Sequence, residues 1–149
     1  MPIGEICTRE VVIVEKSTSI QEAAKLMRQF HVGDLVIVES RDGHQVPIEI
    51  LTDRDIVIEL IAQDVDLEKV TVGDVMSFDL LTIPENQGIW ETLDFMRNKG
   101  VRRTPVVDKQ GALIGIISVD DLLELLADEL NILAGLIRRE QAHETKARV

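Results

Sequence analysis

The 149 residues suit one compact domain or two small halves sharing a core, and a hydrophobic content of 45% lets them fold without disulfides. The net charge of −11 repels phosphate backbones, and with aromatics at 3% and no tyrosine to stack on bases it argues against a nucleic-acid binder. A single cysteine, Cys7, leaves no intramolecular disulfide, and no stretch approaches the roughly 18 uninterrupted apolar residues of a membrane span. The opening MPIGEICTRE has no basic start followed by a long apolar run, so a cytoplasmic chain with no membrane partner is expected.

In chain order, VVIV (11–14) is a β-branched run and predicts a strand. SIQEAAKLMRQF (19–30) predicts a helix, with Ser19 and Glu22 in a capping-box pattern and Ile20, Ala23, Ala24, Met27 and Phe30 on one face. LVIVE (35–39) and VPIEIL (46–51) read as strands around a polar SRDGH turn, and a second helix runs from about Asp53 to Ala62. A connector follows, and the order then recurs as LLTI, IWETLDFMRNK, PVVD and LIGII, with a helix from about Val119.

The recurrence is an internal repeat. Shifted by 69, residues 5–38 fall on 74–107, and Ile20, Glu22, Met27, Arg28, Val32 and Val38 meet identical residues. After a loop three residues longer in the first half the offset becomes 66, and Ile48, Ile50, Asp55 and Leu60 match Ile114, Ile116, Asp121 and Leu126. Each half is β-α-β-β-α and shorter than the ~70–80 residues at which a core becomes comfortable. The expected fold is therefore α/β (α+β), two pseudo-symmetric repeats packed sheet to sheet. The first repeat is expected at 1–64, a connector at 65–73, the second repeat at 74–130 and a helical extension with a polar tail at 131–149.

Both halves place a hydroxyl three residues before an aspartate at a strand-to-helix junction: Thr52 with Asp55, and Ser118 with Asp121. The plain account is a capping box, in which the hydroxyl accepts from an orphan N–H and the acid favours the helix dipole. The same geometry suits a ribose, whose vicinal hydroxyls donate to a carboxylate, beside a helix start that attracts anions. Capping and binding are compatible.

GIISVDD, preceded by VRRTPVVD and VMSFDLLTI, resembles the cystathionine-β-synthase-type (CBS) domain, and two in tandem resemble a CBS pair, or Bateman module. The resemblance covers about residues 1–130 and is weaker in the first repeat, where Glu49 stands at the position of Gly115. It implies a stand-alone, non-catalytic regulatory module that binds an adenine nucleotide, AMP before ATP or ADP, or another adenosyl compound, and requires no cofactor. It further implies that Thr52 and Asp55, and Ser118 and Asp121, hold ribose hydroxyls. Each adenine shelf comes from the other repeat, with Val11 and Val12 serving Asp121, and Leu80 and Leu81 serving Asp55. Arg102 and Arg103 match phosphate-contacting positions, and Arg54 is a further candidate; guanidinium forks suit phosphate oxygens. The first repeat has Gly33 and Asp34 at those positions, so the sites are unequal. Gly115 permits close approach of a ligand or of neighbouring backbone. The alternative is an interaction scaffold with vestigial pockets, which Glu49 and the acidic balance favour.

Leu123, Leu126, Leu130, Leu133 and Ile137 are spaced 3, 4, 3, 4, a short heptad seam, and RREQAHETKARV (138–149) is polar and expected to fray. A helix from 119 to about 140 would be roughly 33 Å long, so a homodimer is expected beside an unknown effector protein. His31, His44 and His143 lie apart from one another and from Cys7, so no metal site is expected. Asp53, Asp55, Asp120 and Asp121 have no nucleophile or tuned partner nearby, which leaves no catalytic residue.

Overall fold

The computed structural model describes residues 1–75 and 80–148; Met76, Ser77, Phe78 and Asp79, inside the VMSFDLLTI motif, and Val149 lie outside the described residues. The chain separates into two compact units, Met1–Ile117 and Ser118–Val149. The first carries two three-stranded sheets. β1 (Ile13–Val14), α1 (Ile20–Phe30), β2 (Asp34–Arg41), β3 (His44–Thr52) and α2 (Asp53–Asp55, continuing as a π-helical turn over Ile56–Ile61) form the first repeat. β4 (Ile83–Pro84), α3 (Ile89–Lys99), β5 (Arg103–Val107) and β6 (Leu113–Ser118) follow the same order, and α4 (Val119–Ala147) closes the chain. The sheet orders β1-β2-β3 and β4-β5-β6 repeat each other, with β1 parallel to β2 and β4 parallel to β5.

The expected elements are present, with shifted ends. VVIV yields only Ile13–Val14, because the register joins this strand to β2 only at Val36 and Ile37. The SRDGH turn shrinks to Asp42–Gly43, both at positive φ, so the hairpin strands extend to Arg41 and from His44. Ile48 is the extra residue of a bulge: Ile37 pairs Glu49 while Val38 pairs Pro47. On α1 only Ile20, Ala23 and Met27 are buried; Phe30 ends the helix and is 51% exposed. Ser19 caps α1 by accepting from the Glu22 N–H. α1 stops at His31 and α3 at Gly100, both left-handed, at φ 54° and 67°. These residues are 69 apart, so His31 performs in the first repeat the turn that glycine performs in the second. The polar tail does not fray: α4 continues to Ala147, because Arg, Glu, Gln, Ala and Lys are good helix formers.

The two repeats exchange their leading segments. Pro2 bridges Gly88 and Gly4 N–H donates to Glu85 O at 2.8 Å; 69 residues on, Thr71 bridges Ser19 and Gly73 N–H donates to Lys16 O at 3.0 Å. A Cβ on Gly4 would lie 2.9 Å from Glu85 Cβ, closer than side chains approach, and one on Gly73 would lie 3.1 Å from Lys16 O, a tight contact. Asp34 and Arg103, also 69 apart, form an ion pair with each other. A contact between equivalent positions places them beside the pseudo-two-fold axis relating the repeats. The pair is 25% and 33% exposed, so removing one partner should cost about 1–2 kcal/mol after solvent screening. Asp34→Arg combined with Arg103→Asp should recover at least half of either single loss in urea unfolding; additive losses would count against the axial pairing.

Candidate ligand site

Both hydroxyl–aspartate pairs are capping boxes. Asp55 N–H donates to Thr52 Oγ1 at 3.1 Å and Thr52 N–H donates to Asp55 Oδ2 at 2.9 Å. In α4, Asp121 N–H donates to Ser118 Oγ at 3.2 Å and Ser118 N–H donates to Asp121 Oδ2 at 3.0 Å. In each carboxylate it is Oδ2 that makes the cap.

Asp55 stands at a cavity of about 780 Å³, lined by Ile37, Glu49, Ile50, Leu51, Asp55, Glu59, Leu60, Val65, Val70, Asp74 and Val75. That volume is in the range of small-molecule sites. A smaller hollow of about 150 Å³ shares Glu49 and Ile50 with it and adds Leu80, Leu81, Val101, Arg103 and Thr104. Asp55 in the larger lining and Leu80 and Leu81 in the smaller one are thus linked through the two residues both share, Glu49 and Ile50. The edge strand β3 supplies these two shared residues, β5 supplies Arg103 and Thr104, and α2 supplies Asp55.

Not every expected residue joins this surface. Thr52 acts as the cap and is outside both linings, and Arg54 and Arg102 are exposed and also outside them. Arg103 lines the smaller hollow but is already paired with Asp34. Val11 and Val12 are half-buried, and Val12 packs against the core of the first repeat. Gly115 serves backbone approach: a Cβ there would be 2.7 Å from both Cys7 Sγ and Thr8 O, and Thr8 and Ile116 exchange two hydrogen bonds of 2.9 Å. Glu49, its counterpart, lines both cavities, and its Oε1 accepts from the Ile50 N–H at 3.0 Å.

Thr104 is the residue that sequence reading passed over. It is 1% exposed, and its buried Oγ1 has no hydrogen-bond partner among the described residues. An unpaired buried hydroxyl costs about 1–3 kcal/mol, and the residue that carries it is among those lining the smaller hollow. Its counterpart at offset 69 is Leu35, so the hydroxyl is particular to the second repeat. Among the described residues no group of three or more His, Cys, Asp or Glu could hold a metal ion, and no helix is long and apolar enough to cross a membrane.

The CBS domain family matches residues 3–62 and 72–128, one match per repeat. The chain belongs to the CBS-domain family. It is 36% identical over 123 residues to an uncharacterized protein of Methanopyrus kandleri, covering 83% of this chain and 61% of that one. The CBS pair described here therefore spans about three fifths of that relative's length. An uncharacterized conserved protein of Pyrococcus horikoshii has the same fold at TM-score 0.72 and 31% identity, over 83% of this chain and 90% of that one. A CBS domain pair solved in complex with 5′-methylthioadenosine and S-adenosyl-L-methionine superposes at TM-score 0.73 and 23% identity, over 87% and 98% of the two chains.

Proposed function

We propose that this CBS pair is a regulatory, non-catalytic module that binds one adenosyl ligand along the surface running from Asp55 to Leu80 and Leu81. Adenine lies against the Leu80–Leu81 shelf within reach of the Thr104 hydroxyl. The ribose hydroxyls donate to Asp55 Oδ1, with Thr52 holding the aspartate in place. A single phosphate has Arg103 as its partner, with Arg102 and Arg54 at the rim. The observation that carries this reading is Thr104, with its unpaired, buried Oγ1, in the lining of a hollow that shares Glu49 and Ile50 with the Asp55 cavity. Adenosyl binding by a CBS pair of the same fold supports it.

Charge ranks the ligands. Four carboxylates, Glu49, Asp55, Glu59 and Asp74, line the larger cavity, and its described lining contains no basic residue. Like charges at close range are unfavourable where solvent is reduced. On charge alone S-adenosylmethionine, whose sulfonium is positive, ranks ahead of AMP, and AMP, with one phosphate, ahead of ADP and ATP. Binding across both repeats favours one of their relative arrangements, and a partner protein or a second copy reads the shift. The same carboxylates favour a second reading, an interaction scaffold with vestigial pockets.

A thermal-shift panel separates the two. A ligand at 100 times its dissociation constant that binds only the native form adds about 2.7 kcal/mol. AMP and S-adenosylmethionine should each raise Tm by several degrees, and ATP by less. Silence toward every adenosyl compound at millimolar concentration favours the scaffold. Thr104→Val should weaken AMP at least threefold while leaving stability equal or higher, since it removes an unsatisfied hydroxyl; unchanged affinity would remove Thr104 from the site.

A further inference from the structure

α4 carries a broad apolar face. Leu123, Leu130, Ile132, Leu133, Leu136 and Ile137 are each 55–66% exposed. The helix has 29 residues and is about 43 Å long. Exposed apolar residues in a continuous stripe, unlike scattered ones, mark an interaction surface. Leu123, Leu126, Leu130, Leu133 and Ile137 are spaced 3, 4, 3, 4, the repeat that lets one helix seat its side chains between those of another, and Ile132 and Leu136 widen the face.

The charges along α4 identify the occupant. Between Val119 and Glu129 the helix carries Asp120, Asp121, Glu124, Asp128 and Glu129 and no base. From Arg138 to Arg148 it carries Arg138, Arg139, Lys146 and Arg148 against Glu140 and Glu144. The helix dipole accounts for acids at the start and bases at the end, but the same distribution makes the helix complementary to its own reversed copy. A parallel copy would set the acidic half on an acidic half and Arg139 beside Arg139. A reversed copy sets each acidic half against the half that is net basic.

We propose that two copies of this chain associate through an antiparallel α4–α4 pair. The register that keeps every central layer apolar places Leu126 opposite the partner's Ile137 and Leu130 opposite the partner's Leu133, and the reciprocal contacts repeat both layers. In that register the helices overlap along nearly their whole length. Arg139 then lies within about one turn of the partner's Glu124 and Asp128. The seam uses none of the residues assigned to the ligand, so it stands or falls independently of the adenosyl reading. In that register the polar 138–147 segment lies against the start of the partner's α4.

Sedimentation equilibrium of the full chain should give twice the 16.7 kDa chain mass. Leu130→Asp combined with Leu133→Asp should return a monomer, raising the dissociation constant at least 100-fold, with circular dichroism reporting whether the fold is retained. A monomeric wild type, or a folded variant that remains dimeric, overturns the proposal. Orientation is tested separately, leaving Leu126, Leu130, Leu133 and Ile137 in place, by mixing Leu123→Cys and Glu140→Cys proteins with a short bismaleimide and mapping the product by mass spectrometry. A link between positions 123 and 140 is expected. Links only between like positions mean a parallel pair and overturn it.

Discussion

Gly115→Ala should lower the melting temperature by roughly 6–12 °C. The added Cβ would sit 2.7 Å from Cys7 Sγ and 2.7 Å from Thr8 O. A thiol can rotate aside, but Thr8 O is backbone and accepts the Ile116 N–H at 2.9 Å, while Thr8 N–H donates to Ile116 O at 2.9 Å. Relief therefore requires moving the segment between Gly4 and Thr8 away from β6. Overpacking of this kind costs about 1–3 kcal/mol, and weakening two hydrogen bonds adds about 1 kcal/mol each. The sum, about 3 kcal/mol or more, corresponds to that change in Tm at ~2–4 °C per kcal/mol. Gly135→Ala is the control. Nothing lies within 4 Å of its Cβ position, and it is inside α4. An alanine there should stabilise by about 1 kcal/mol through helix propensity. Differential scanning calorimetry of both variants checks the contrast, and a neutral Gly115→Ala would show that the leading segment is not held as described.

Asp55→Asn should reduce affinity for AMP and for S-adenosylmethionine by roughly 10- to 100-fold, with stability changed by less than about 0.5 kcal/mol. A hydrogen bond to a charged group contributes about 1.5–3 kcal/mol, and each 1.4 kcal/mol is a factor of ten. The amide keeps an oxygen able to accept the Thr52 N–H, so the cap survives while the charged acceptor for the ribose is lost. Thr52→Val behaves differently: it removes the side chain that accepts the Asp55 N–H, costing about 1 kcal/mol of stability. Calorimetric titration together with urea unfolding separates the two effects. Equal affinities for wild type and Asp55→Asn would leave that aspartate with its capping role alone.

Much of this molecule is legible in the sequence because duplication lets one half check the other. The offset of 69 predicted the order of elements, and it recurs in the contacts: Gly4 on Glu85 mirrors Gly73 on Lys16, and Asp34 meets its own counterpart, Arg103. The hydroxyl–aspartate spacing predicted two capping boxes because the geometry is local and needs no long-range information. Burial on α1 was narrower than its apolar pattern, since periodicity gives a face and not how much of it a neighbour covers. The π-helical Ile56–Ile61 had no signature in residue type. Gly115 left two readings open, and only the proximity of Thr8, more than 100 residues away in the chain, decides between them. Thr104 was passed over because a threonine beside Pro105 and two valines reads as ordinary strand; its signal was the contrast with Leu35 in the other repeat.

Crystals of the full chain grown with AMP or S-adenosylmethionine put the ligand assignment to its most direct test. The adenine should stack on Leu80 and Leu81, with a ribose hydroxyl on Asp55 Oδ1. A well-defined ligand bound elsewhere on the chain, with Asp55 still making only its contacts to Thr52, would contradict the account.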